Sequence, residues 1–202
     1  MNCNSPITLD ALDELGRGIR LSFEWRGDRY GHTICGVNGD EAVPIAVSVD
    51  ERGSGDGPLS PPVQEIREIA DATGGRQLML IGAAAGAHWS MTVRAAAEEN
   101  QRYLEFDVAV RVQKPPAPLG IALDAVAPAE WIDLPSGEVA CRRDRRLLFV
   151  ALTPTAAAQR PPAAAQRAAG AAQRRILPPP LGLPRTFPST IRWRYRIGWT
   201  PS

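Results

Sequence analysis

The chain has 202 residues, 44% hydrophobic and 22% charged with 6% aromatics, an ordinary globular composition and length enough for one domain with its own core. No apolar run reaches the roughly 18–20 residues of a membrane helix. The three widely spaced cysteines Cys3, Cys35 and Cys141 form neither a disulfide framework nor a zinc spacing. The net charge of +1 hides a split, because residues 1–153 carry 15 basic against 22 acidic residues, a net −7, while residues 154–202 carry eight Arg and no acid. Such a division points to a basic arm with an acidic partner, either external or the protein's own body. The cations are 22 Arg and one Lys, Lys114, in a chain rich in Ala, Gly and Pro. Part of that Arg usage therefore reflects codon supply in a GC-rich genome. Met1-Asn2-Cys3-Asn4-Ser5 lacks the basic-then-apolar pattern of a secretory signal, so a cytoplasmic location with free thiols is expected.

In chain order, Thr8 to Gly16 predicts a short N-terminal helix, with Thr8 as N-cap, Leu9, Leu12 and Leu15 on one side and Gly16 as the stop. The period then becomes two: Ile19, Leu21, Phe23 and Trp25 alternate with Arg20, Ser22, Glu24 and Arg26. Gly27-Asp28 and Asn38-Gly39 are hairpin turns, so residues 18–49 predict a three-stranded meander. A Gly-rich loop follows at Asp50–Pro58. A helix is predicted over about 61–73, with Ser60 as N-cap and Val63, Ile66, Ile69 and Ala70 as its apolar stripe.

A second meander is predicted at about 76–82, 88–95 and 102–113. In its last strand Leu104, Phe106, Val108, Val110 and Val112 alternate with Glu105, Asp107, Ala109 and Arg111. Two or three further strands are expected in 119–153, the best at about Arg146–Leu152. From 156 an Ala-Ala-Gln-Arg unit recurs every seven residues, and 177–188 is Pro-rich. Neither segment has the large apolar positions of a coiled coil. Ile191, Trp193, Tyr195, Ile197 and Trp199 then alternate with Arg192, Arg194, Arg196 and Gly198. A strand this amphipathic needs a sheet to dock on. The expected organisation is a β-rich domain over 1–153, a low-complexity linker or long loop over 154–189, and a closing strand over 190–202. The fold class is mainly β: an antiparallel sandwich or partly closed barrel of eight to ten strands.

No catalytic constellation, phosphate loop, nucleophile elbow or dinucleotide fingerprint occurs. The residues acid–base chemistry would use are His32, His88, Glu105 and Asp107. His32 shares a strand side with Tyr30 and Ile34, as a core histidine does, and His88 falls on a polar face with Ser90. Cys35 points away from His32, which excludes a dyad within that strand. Positive charge at Arg142–Arg146 would lower the thiol pKa of nearby Cys141. Glu105 and Asp107 lie two apart on one strand face, placed to meet Arg across a strand pair for about 0.2–1 kcal/mol each, or to serve a metal or acid–base role.

Arg192, Arg194 and Arg196 line one strand face roughly 6–7 Å apart. Together with Arg174, Arg175, Arg142 and Arg143 they are the candidates for binding nucleic acid or another polyanion. The aromatics of that strand face the other way, as core residues do. The reading favoured is a non-catalytic interaction or structural module with a protein partner. It would bind through an exposed sheet face, an edge strand or the Pro-rich segment, with no cofactor, no metal and no membrane. Polyanion binding through the Arg-rich arm is the alternative, and an enzyme of unrecognised type the second alternative.

Overall fold

The computed structural model describes residues 6–49, 60–70, 74–84, 86–98, 101–113, 120–133, 139–143, 146–153, 166–167, 174–177 and 186–200. Among them the chain is all β, in two antiparallel sheets that do not close into a barrel. The fifteen strands, more than the eight to ten expected, are β1 (Ile7–Leu12), β2 (Arg17–Trp25), β3 (Tyr30–Asn38), β4 (Glu41–Ser48), β5 (Glu65–Ala70), β6 (Arg76–Ala84), β7 (Ala87–Glu98), β8 (Gln101–Val112), β9 (Ile121–Ala125), β10 (Glu130–Asp133), β11 (Val139–Arg143), β12 (Arg146–Thr153), β13 (Gln166–Arg167), β14 (Arg174–Leu177) and β15 (Ser189–Thr200). The first sheet has the order β1-β2-β3-β4-β9-β14-β13, the second β10-β11-β12-β15-β8-β7-β6-β5.

The two meanders form because alternation supplies one apolar face and the turns supply reversal. Gly39 takes the left-handed conformation (φ 60°) that the Asn38-Gly39 turn requires. The inner faces interdigitate as in a sandwich. Ile19, Leu21, Phe23 and Ile34 of the first sheet and Leu80, Val93, Leu104, Phe106, Val108, Trp193 and Tyr195 of the second are all buried. Phe106 and Tyr195, opposite each other on β8 and β15, stack with centroids 4.4 Å apart, and Trp89 meets Trp193 edge-on at 6.0 Å.

Neither expected helix forms among the described residues. In place of the N-terminal helix, β1 pairs with β2 from Ile7↔Phe23 to Leu12↔Gly18. Leu9 and Ala11 are the buried positions and Leu15 is 69% exposed, so the true period is two rather than three. A helix of that length is marginal alone, whereas the strand gains a full ladder and the Asp10–Arg20 ion pair at 2.7 Å. The segment Ser60–Gln64 crosses the end of the sandwich instead of starting a helix. Val63 bridges Tyr30, and the Ser60 hydroxyl donates to the Ala122 carbonyl at 2.7 Å and accepts from the Val49 amide at 3.2 Å. β5 then adds an edge strand to β6, with Ile66 and Ile69 half-buried and Glu65, Arg67 and Glu68 exposed. Its isoleucine spacing mimics a helical stripe, but two β-branched residues beside an open edge favour the ladder. The charges then guard that edge. Residues 71–73 of the expected helix lie outside the described residues.

Gly82 permits the crossing, since a Cβ there would lie 1.4 Å from the Pro62 carbonyl oxygen. The Gln64 amide donates to the Ile81 carbonyl at 2.8 Å, and the Gln64 side chain accepts from the Ala83 amide at 3.0 Å. β15 lies inside the second sheet, in register with β12 on one side and β8 on the other. β14 pairs with β9. Most of the Gln-Arg repeat and the Pro-rich stretch, with the Gly-rich loop at 50–58, lies outside the described residues.

Candidate functional site

The chemistry-bearing side chains of the second half concentrate on the outer face of the eight-stranded sheet, because β7, β8 and β15 turn their apolar alternates inward. In one cross-strand row Arg94, Glu105 and Arg196 are directly opposite one another. Glu105 Oε1 accepts from Arg94 at 2.7 Å, and its Oε2 accepts from Arg196 Nε at 3.0 Å. Arg196 also donates to Glu98 at 3.0 Å and lies 4.4 Å from the centre of the Tyr103 ring, whose hydroxyl donates to Glu98 at 2.9 Å. In the next row Asp107 accepts from Arg194 Nε at 2.8 Å. Glu105 is only 8% exposed. Burial works to raise its pKa, but the guanidinium groups of Arg94 and Arg196 outweigh that and hold it below its ordinary value. A carboxylate held ionised between two guanidinium groups is a poor proton acceptor.

The histidines are far apart in the architecture. His32 is buried on the inner face of the first sheet, its ring 5.9 Å from that of Phe23 and its amide donating to the Ser48 hydroxyl at 2.9 Å. His88 is exposed on the outer face of the second sheet, in register with Ala83 and Arg111. The arginine candidates are likewise divided. Arg192, Arg194 and Arg196 share the outer face of β15. Arg142 pairs with the Glu130 carboxylate. Arg143 stands in register with Arg146 at the end of the β11–β12 ladder. Arg174 and Arg175 belong to β14 of the other sheet, in register with Asp124 and Leu123. The structure therefore unites the β15 arginines with Glu105 and Asp107 but does not gather all the arginines into one basic surface.

A second cluster lies at the tip of the β2–β3 hairpin and escapes pattern reading. Trp25 continues the apolar alternation of β2, so periodicity assigns it to the core. It is nevertheless 47% exposed. The turn two residues later is the signal that it lies at a strand end. Its ring meets the half-buried Tyr30 edge-on, centroids 4.9 Å apart. Tyr30 is tied down by its amide, which donates to the Val63 carbonyl at 2.7 Å. The turn is closed by the Arg26 amide donating to the Arg29 carbonyl at 2.7 Å. The Arg26 guanidinium folds over Gly31, where a Cβ would come within 2.4 Å of it.

Burial pushes the Cys141 thiol up to about 12, Glu130 adding to the effect. The expected lowering by the neighbouring arginines is thus reversed, since the side chain is wholly buried and desolvation sets the direction. Burial raises Cys35 as well. Among the described residues no three His, Cys, Asp or Glu converge as metal ligands, and no helix is long and apolar enough to cross a membrane. The chain matches no protein-family model, no curated protein and no solved structure.

Proposed function

We propose that this chain is a non-catalytic interaction module of β-sandwich type that engages a protein partner through the tip of the β2–β3 hairpin. The observation that carries this reading is the pairing of exposed Trp25 with Tyr30 beside Arg26. Trp, Tyr and Arg are the residue types that dominate binding energy at protein interfaces. An aromatic already braced by a neighbour loses little freedom on binding, so more of its contact energy appears as affinity. The carboxylates of the outer face favour the same reading, since Glu105 and Asp107 are engaged by Arg94, Arg196 and Arg194.

The test is quantitative co-isolation with wild-type and Trp25→Ala baits at equal thermal stability. A protein enriched by the wild type and reduced at least about tenfold with Trp25→Ala, as expected for an interface anchor, supports the module. Equal enrichment by both baits overturns it.

A further inference from the structure

Among the described residues, charge on the outer face of β7, β8 and β15 is matched row by row except at one corner. Across β7, β8 and β15 the first row is Arg94, Glu105, Arg196 and the second is Thr92, Asp107, Arg194. The third row is Ser90, Ala109, Arg192 and the fourth is His88, Arg111, Thr190. The carboxylate that β8 presents in the first two rows is replaced in the third by the methyl group of Ala109. Arg94, Arg194 and Arg196 each hold a carboxylate, whereas Arg111 and Arg192 have no ion-pair partner among the described residues.

The two arginines and His88 are close by construction. Directly opposed strand residues have Cβ atoms about 4.5–5.5 Å apart and diagonal ones about 7–8 Å, and like charges at such positions repel. His88 is opposite Arg111, and Arg192 is diagonal to Arg111. Ser90, His88, Arg111, Thr190 and Arg192 are all exposed, with half-buried Ala109 as a low floor between them. The nearest carboxylate along β8 is Asp107, already engaged by Arg194 at 2.8 Å. Glu65, in the same row on edge strand β5, pairs with Arg67 at 2.5 Å.

We propose that this corner is a binding site for a single phosphate group carried by a small ligand, seated over Ala109 where the row lacks its carboxylate. Arg192 and Arg111 supply charge-assisted donors, and Ser90 and His88 form the rim. The site is independent of the hairpin tip, which belongs to the other sheet.

The test is titration of the full chain with inorganic phosphate at constant ionic strength, followed by amide chemical shifts, with chloride as the control. Saturable shifts confined to residues 88–92, 109–111 and 190–192 are expected. Arg192→Ala and Arg111→Ala should each weaken binding about tenfold. Ala109→Asp should abolish it by placing a tethered carboxylate in the site, while Ala109→Ser should retain it. The amide spectrum itself reports that each variant is folded. Non-saturable shifts, equal shifts with chloride, or binding indifferent to both arginines overturn the proposal. A thymidine 12-mer bound more than about 100-fold tighter than phosphate also overturns it, because the corner is then part of a polyanion track.

Discussion

Glu105 and Arg196 stand opposite each other on β8 and β15, 91 residues apart in sequence, with the carboxylate accepting from guanidinium Nε at 3.0 Å. This contact joins the acid-rich body to the acid-free C-terminal segment. The Asp107–Arg194 pair repeats the connection one row along. Part of the charge split is thus an internal complementarity: β15 is drawn into the middle of a sheet whose neighbouring strand carries the matching acids.

Glu105→Gln removes the carboxylate between Arg94 and Arg196, while Arg196 keeps its pair with Glu98. It should cost about 1–2 kcal/mol, less than for a fully buried pair because both arginines remain partly in water. Urea unfolding should show a lower midpoint at unchanged slope. The acid limb follows from the sign of the shift. The folded carboxyl lies below its ordinary 4.5, so its contribution is present above that value and is lost as pH falls through the folded value. Wild type should lose stability more steeply than Glu105→Gln in thermal melts as pH falls from the ordinary carboxyl value of 4.5 through the lower folded value, the difference between the two proteins narrowing over that fall. Parallel acid limbs would contradict this.

The alkaline limb has the opposite origin. Cys141 rises from 9.0 to about 12 through burial. The stability that its protonated form contributes is therefore complete below pH 9 and declines as pH rises from there toward 12. Cys141→Ala should flatten the loss in thermal melts above pH 9. In a Cys3→Ser background, neither Cys35 nor Cys141 should react with an aromatic disulfide reagent at neutral pH until the protein is unfolded. Stoichiometric reaction of the folded protein would refute the assignment.

Backbone crossing at Gly82 sets a steric requirement that no side chain can meet. Gly82→Ala places a methyl carbon on the Pro62 carbonyl and should cost about 2–3 kcal/mol. Gly198→Ala is the control, because its Cβ would sit at 3.5 Å from that of Tyr103, an ordinary contact. It should be neutral or stabilising by up to about 1 kcal/mol. Equal effects in urea unfolding would show that the Ser60–Gln64 segment does not lie across β6.

Strands were legible where alternation ran for eight or more residues between clear turns, as in β2, β7, β8 and β15. They were misread where apolar residues were few. Leu9, Leu12 and Leu15 suit a helix as well as Leu9 and Ala11 suit a strand, and only pairing with β2 decides. Ile66 and Ile69 mislead in the same way, because an edge strand is half-exposed and shows no strict period of two. The site divides along similar lines. The pairing of Glu105 and Asp107 with arginines could be anticipated from their spacing, since one strand face must meet another. The exposure of Trp25 had only one sequence signal, the Gly27-Asp28 turn two residues on, because the alternation of β2 otherwise places it with the core. The direction of the Cys141 shift was not legible, because chain neighbours say nothing about burial.

The most direct test of the account is fluorescence anisotropy of a labelled oligonucleotide, with wild type and with a variant in which Glu98→Gln, Glu105→Gln and Asp107→Asn free the β15 arginines. If Arg194 and Arg196 are engaged by the protein's own acids, wild type should bind no tighter than about 100 μM at about 50 mM salt, the weak end of non-specific binding. The neutralised variant should gain salt-sensitive affinity. Micromolar binding by wild type that collapses at about 200 mM salt would contradict the account and make the arginine strand a polyanion reader.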